Sequence, residues 1–172
     1  MLKDPIEALQ AAHPDAVREV TQAFGETTLV VARASIVEAL AFLRDTPGLE
    51  YNFLVDITGV DYHPATPRFA ICYHVYAMLS ARVLRLKVYV PEDDAVLPSL
   101  VNAGWPLANW PEREIQDMLG IDFAGHPDKR RLLMPADWEG HPLRKDYPLG
   151  AEPVAFSFSW QDRDATKPYA KE

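Results

Sequence analysis

The nine residues GHPLRKDYP, Gly140 to Pro148, set His141, Arg144, Lys145, Asp146 and Tyr147 close together, punctuated by two prolines. An imidazole, a carboxylate and a phenol are the groups that move protons in acid–base catalysis. Neighbouring cations are the groups that grip a phosphate or a carboxylate. More of the same types stand upstream: Glu112, Arg113, Glu114 and Asp117, then His126, Arg130 and Arg131. Such a block either does chemistry or holds the protein against something else.

Each catalytic reading fails on spacing. His126, Asp128, Asp137, His141 and Asp146 are a plausible zinc or hard-metal set by type, but they contain no H-x-x-x-H and no paired cysteines. Both histidines precede proline in a GHP triplet, which predicts turns in which the ring caps backbone groups, and no metal is expected. No G-x-S-x-G elbow occurs; Cys72 falls in an apolar strand pattern as inert packing, and Ser157 and Ser159 alternate with Phe156, Phe158 and Trp160 in an extended strip. With neither a G-x-G-x-x-G run nor a P-loop, no nucleotide cradle is expected. Glu112, Glu114 and Asp117 lie early in a predicted helix, where the dipole favours acids, and Arg113 and Asp117 are i,i+4 neighbours expected to pair. Asp56 and Asp61 read as turn caps at a strand end. Arg130-Arg131 and Arg144-Lys145 are interleaved with Asp128, Asp137, Glu139 and Asp146, as on a salt-bridged or a solvated surface.

The elements that must position this block are those of one domain of ordinary globular composition: 172 residues, 48% hydrophobic and 24% charged. A net charge of −8 disfavours nonspecific nucleic-acid binding, and one cysteine holds neither an intramolecular disulfide nor an iron–sulfur cluster. The amino terminus carries no apolar signal core and no window is long and apolar enough to span a bilayer, so a reducing, cytoplasmic setting is expected.

Asp4-Pro5 predicts a helix start, with helix from Ile6 to about Phe24 broken at His13-Pro14. Thr28 to Ala32 reads as a short strand. Ser35 and Glu38 make a capping box for a helix that buries Ile36, Ala39, Leu40 and Leu43 and closes at Gly48. In NFLVDIT, alternation predicts Phe53, Val55 and Ile57 on one buried face. Phe69 to Leu79 and RVLRLKVYV read as an antiparallel hairpin, with Leu84, Leu86, Val88 and Val90 inward. A second capping box, Asn109 with Glu112, opens a helix with Ile115, Met118 and Leu119 inward and Gly120 at its end. Beyond Ile121 periodicity is lost. The pattern predicts an α+β fold, an antiparallel-dominated sheet with helices on one face, followed by an irregular proline-rich arm.

As a whole the block is specific where its parts are not. EREIQDMLGIDFAGHPDKRRLLMPADWEGHPLRKDYPL, Glu112 to Leu149, closely resembles the signature region of the C-type (30-kDa-type) subunit of type-1 NADH dehydrogenase, the respiratory complex I. VDITGVDY (Val55 to Tyr62) and PSLVNAGWPLANW (Pro98 to Trp110) resemble that family as well. The resemblance implies a single domain over residues 1–149 and an extended tail over 150–172 ordered by a partner. It implies a non-catalytic peripheral-arm subunit on the cytoplasmic side of the inner membrane, packed against the D-type subunit that forms the quinone site and against neighbouring iron–sulfur subunits. No cofactor is expected in this chain; FMN, iron–sulfur clusters, NADH and a quinone belong to the assembled complex. Glu112, Arg113, Glu114, Asp117, His126, Arg130, Arg131, His141, Arg144, Lys145, Asp146 and Tyr147 then become expected interface residues. The equivalent subunit of a membrane-bound hydrogenase or of a ferredoxin-fed quinone oxidoreductase is the alternative; a free-standing metal-dependent hydrolase built on the His–Asp cluster is a more distant one.

Overall fold

The structure, a computed structural model, describes residues 3–148. The expected tail, 150–172, lies outside the described residues, as does Leu149. Helix α1 (Pro5–Ala12) starts as the sequence implies: the Asp4 carboxylate accepts from the N–H groups of Ile6 and Glu7, with Pro5 in the first turn. It does not resume after His13-Pro14. Val17–Ala23 is instead strand β1, paired antiparallel with β2 (Glu26–Val31) across a tight turn in which Phe24 and Gly25 both have positive φ. A two-residue turn of this kind matches strand twist and closes a hairpin, and that pairing overrides whatever helical propensity the stretch has.

Helix α2 (Ile36–Asp45) follows a short 3₁₀ turn and buries the expected stripe. Ser35 makes no capping bond, because it is itself the last residue of that turn. The helix ends at Asp45, and Gly48, at positive φ, belongs to the turn beyond it. Strands β3 (Phe53–Asp61), β4 (Phe69–Ala77) and β5 (Arg82–Val90) then form a meander, and the sheet runs β1-β2-β5-β4-β3 with only β2 and β5 parallel. The fold is therefore α+β, as the pattern implied. Leu84, Leu86, Val88 and Val90 all face the core.

In β3 the expected alternation breaks. A bulge between Leu54 and Asp56 shifts the register, so Leu54 and Ile57 are buried while Phe53 and Val55 are 41% and 54% exposed. One extra residue in a strand turns every side chain before it to the opposite face.

Helix α3 (Asn109–Leu119) lies on the same sheet face as α1 and α2, with Ile115 and Leu119 joining the one hydrophobic core. It enters from a 3₁₀ turn at Pro106–Ala108, so Asn109 sits inside the helix and caps nothing. Its partner in the supposed capping box, Glu112, is free to reach elsewhere. Helix α3 packs tightly over Gly59 of β3: a Cβ there would collide with Leu119 Cδ1 and stand 3.4 Å from Ile115 Cγ2. Strands β6 (Val96–Pro98) and β7 (Asp122–Ala124) pair in parallel beside α3. Residues 125–148 contain no helix or strand. Replacing Gly59 with Val forces α3 outward; a loss of about 1–3 kcal/mol by urea denaturation is expected, the usual cost of overpacking a close contact. Wild-type stability in this variant would refute the contact.

Candidate functional site

The irregular arm, residues 125–148, is bound to α3 by polar bonds rather than by an apolar stripe. A helix leaves its last carbonyls without intrahelical donors. Here three consecutive ones are met by the GHPLRK stretch: His141 Nδ1 lies 2.9 Å from the Asp117 carbonyl, the Leu143 N–H donates to Met118 at 3.0 Å, and Arg144 Nε donates to Leu119 at 2.6 Å. Gly120, at φ 71°, makes room for this: a Cβ there would stand 2.5 Å from the His141 ring and 2.7 Å from Arg144 Nη2. The close approach therefore demands glycine twice over, for conformation and for space.

Asp117 holds the arm a second time. Its Oδ2 accepts from the N–H groups of Leu132, Leu133 and Met134 at 3.1, 2.8 and 2.9 Å, and its Oδ1 from Arg131 Nη1 at 2.6 Å. Arg131 goes on to donate to the carbonyls of Trp138 and Gly140. Burial alone would raise the Asp117 carboxyl, but the three N–H groups and Arg131 outweigh it and hold it below the usual carboxylate range. The expected Arg113–Asp117 pair is not made. Arg113 instead donates to the carbonyls of Arg130 and Arg131 and pairs with Asp128, which Arg130 also engages. Arg131, nearer in space, takes the carboxylate that the i,i+4 spacing had assigned to Arg113.

Glu112, fully buried, ties α3 to the loop before it: its carboxylate accepts from Ser99 Oγ at 2.6 Å and from the Leu100 N–H at 2.7 Å. Burial pushes this carboxyl up, against those two bonds. His126 packs 3.9 Å from it; its Nδ1 accepts from the Asp128 N–H, leaving Nε2 to donate to the Asn109 carbonyl. Both histidines of the GHP triplets thus bond to backbone groups, as their setting implied. Among the described residues no group of three or more His, Cys, Asp or Glu side chains is arranged to hold a metal ion.

A residue absent from the sequence-based candidates is the second hub. Arg68, 4% exposed, bonds Asp61 through both Nε and Nη2, and reaches Glu92 and Asp146 as well. Asp61 also accepts from the N–H groups of His63 and Lys145. The turn cap expected of Asp61 is real, but the buried ion pair outweighs it. Burial would raise Asp61; Arg68 and the two N–H groups overcome this and hold it far below the usual range. The sequence offers no local signal for Arg68, whose carboxylate partners come from β3, a turn and the distal arm. Tyr147 closes the arm, its ring against Gly140.

The twelve candidates therefore cluster on α3 and its arm, but most of their polar groups are engaged within the chain. Glu114 and the Lys145 side chain face outward without an ion pair among the described residues, alongside Trp110 (70% exposed), Leu133 (61%) and Leu143 (60%). Cys72 sits on the sheet face away from the helices, not in the core, and burial among its neighbours pushes the thiol up.

Removing Asp117 strands Arg131 and three N–H groups. Asp117→Ala is expected to lower stability by about 3–5 kcal/mol in urea and to expose residues 131–147 to limited proteolysis. An arm that stays protected would contradict this. The acid dependence has two signs. Asp61 and Asp117 are depressed, so their bonds stabilise fully above the unfolded carboxylate pKa, about 4, and are lost as pH falls through their folded values. Glu112 is raised, so its contribution is fully present below the unfolded value and is lost as pH rises through the folded one. In Glu112→Gln the decline of stability with rising pH in the mildly acidic range should disappear; an unchanged pH profile would show that Glu112 is not its source.

Comparison with known proteins agrees with this architecture. The family described as respiratory-chain NADH dehydrogenase, 30 Kd subunit, matches residues 29–153. The C-type subunit of NADH-quinone oxidoreductase from Roseiflexus sp. (strain RS-1) is 48% identical over 167 residues, 97% of this chain and 95% of that protein. That of Geobacter sulfurreducens is 45% identical over 134 residues, 77% of this chain and 81% of that protein. Among solved structures, the trypsin-resistant fragment (1–134) of Nqo5 matches with a TM-score of 0.61 at 32% identity, covering 72% of this chain and 95% of the fragment. A chain of an archaeal respiratory complex, the membrane-bound sulfane sulfur reductase, reaches a TM-score of 0.70 over 97% of this chain and 94% of its own length; at 19% identity it shares the fold alone. On the family match and the identity of these relatives, the chain belongs to the family of the 30 kDa subunit of respiratory-chain NADH dehydrogenase.

Proposed function

We propose that this chain is the C-type subunit of a proton-translocating NADH:quinone oxidoreductase, a non-catalytic member of the peripheral arm that supports electron transfer from NADH to quinone by holding the quinone-site subunit in place. The observation that carries the reading is the division of labour within the arm. Asp128, Arg131 and Arg144 are engaged in fixing residues 125–148 to α3, while Trp110, Leu133 and Leu143 project into solvent. Large apolar groups held on a pre-ordered surface are the anchors of protein interfaces, and pre-ordering lowers the entropy lost on docking. The relatives, named as C-type subunits of NADH-quinone oxidoreductase, support the same assignment.

On this reading FMN, iron–sulfur clusters, NADH and quinone are bound by other chains, and this subunit sits peripherally on the cytoplasmic face of the membrane against the D-type subunit and its iron–sulfur neighbours. No helix among the described residues is long and apolar enough to cross a membrane.

A tagged chain purified with detergent-solubilised membranes should recover the large quinone-site subunit, identified by mass. Trp110→Asp and Leu133→Asp, changes at exposed positions, should each lower that recovery by about tenfold or more while leaving the melting temperature of the isolated chain unchanged. Recovery of hydrogenase or ferredoxin-fed subunits would assign the chain to a related complex instead. Recovery of no other respiratory subunit would refute the proposal.

A further inference from the structure

All three helices cover one face of the five-stranded sheet, and the register defines what stands on the other. Thr58, Cys72, Lys87, Val30 and Glu19 form one row across the five strands; Asp56, His74, Arg85, Thr28 and Thr21 form the next. Below them Phe53, Tyr76 and Val83 make a third row, in which Phe53 is 41% and Val83 60% exposed. A groove of about 410 Å³ opens over the two polar rows.

The charges on this face are unevenly satisfied. Arg85 pairs with Glu26 and bonds His74. Among the carboxylates, Asp56 accepts from the Ile57 N–H and Glu19 from the Thr21 hydroxyl. Lys87, at the centre, has no carboxylate within ion-pair distance among the described residues. Its ammonium donates to Tyr62 Oη at 2.9 Å and lies 4.9 and 4.7 Å from the Tyr62 and Tyr89 ring centres. Two aromatic rings hold the ammonium in position without neutralising it. A face meant for water alone has no use for an apolar row on the same surface as a positioned, unneutralised cation. Both features match a protein surface that is apolar over the third row and carries a carboxylate over Lys87, two rows away.

We infer that the helix-free face of the sheet is a second docking surface, for a neighbouring subunit that sets an apolar side chain over Phe53 and Val83 and a carboxylate against Lys87. The inference rests on the proposed subunit role and assigns it a face distinct from α3 and its arm. Such a contact desolvates the Lys87 ammonium and replaces its water by a fixed anion, an arrangement that penalises partners lacking the charge.

The test uses maleimide labelling in the purified membrane complex and in the isolated chain. In a Cys72→Ser background, Val83→Cys reports on this face and Ala11→Cys on the helical layer. Cys at 83 should label at least fivefold more slowly in the complex, while Cys at 11 labels equally in both. Lys87→Glu should lower recovery of other subunits by about tenfold or more, and Lys87→Arg should retain it. A complex that forms normally while position 83 labels as in the free chain overturns this inference and leaves the subunit role intact. Wild-type recovery with Lys87→Glu overturns the carboxylate contact. Protection at 83 in the isolated chain, with the mass of a dimer, gives the face to a second copy and overturns the inference. A wild-type chain that recovers no subunit at all overturns the subunit role, and this inference with it.

Discussion

A helix end cannot be left dry, and the last turn of α3 is where that constraint shapes this protein. Its carbonyls at residues 117, 118 and 119 are met not by a further turn of helix but by a ring, a backbone N–H and a guanidinium from a segment more than twenty residues further on. Once those bonds form, the arm has a fixed direction. Gly120 is the geometric condition for them, since any side chain there would occupy the space of His141 and Arg144.

Two ionic hubs extend the same logic. Asp117 gathers four donors from the arm, and Arg68 gathers carboxylates from β3, from the turn after β5 and from the arm. A buried charge is strongly destabilising unless its hydrogen-bonding capacity is filled, so each hub tolerates few alternative arrangements. The apolar core beneath the sheet supplies most of the driving force for folding. The hubs select one path for a segment that carries no periodic apolar pattern of its own. Hydrophobic burial is non-directional, whereas bidentate and backbone-directed bonds are not.

This arrangement leaves the molecule with two unlike outer surfaces. The α3 side is a hydrogen-bonded frame from which a few large apolar groups project. The free face of the sheet combines an apolar row with a central ammonium held between two tyrosines.

Much of this was legible in the residues themselves. The α+β class, the β4–β5 hairpin with its inward leucines and valines, the apolar faces of α2 and α3, and the loss of periodicity after α3 all follow from local spacing, because each depends on neighbours within one element. The block from Glu112 to Leu149 carried the family resemblance, and within it Glu112, Asp117, Gly120, Arg131 and Arg144 are each bound to one position. Tertiary structure decided the rest. Val17–Ala23 became a strand because β2 offered a partner across a two-residue turn. Phe53 and Val55 faced outward because one bulge reset the register. Glu112 left its supposed capping box for Ser99 and Leu100, and Asp117 chose Arg131 over Arg113. Arg68 became a hub although nothing adjacent to it in the chain announces it. In each case the deciding partner lies outside the element that the local pattern describes, and bonds of that kind are settled only when the elements pack together.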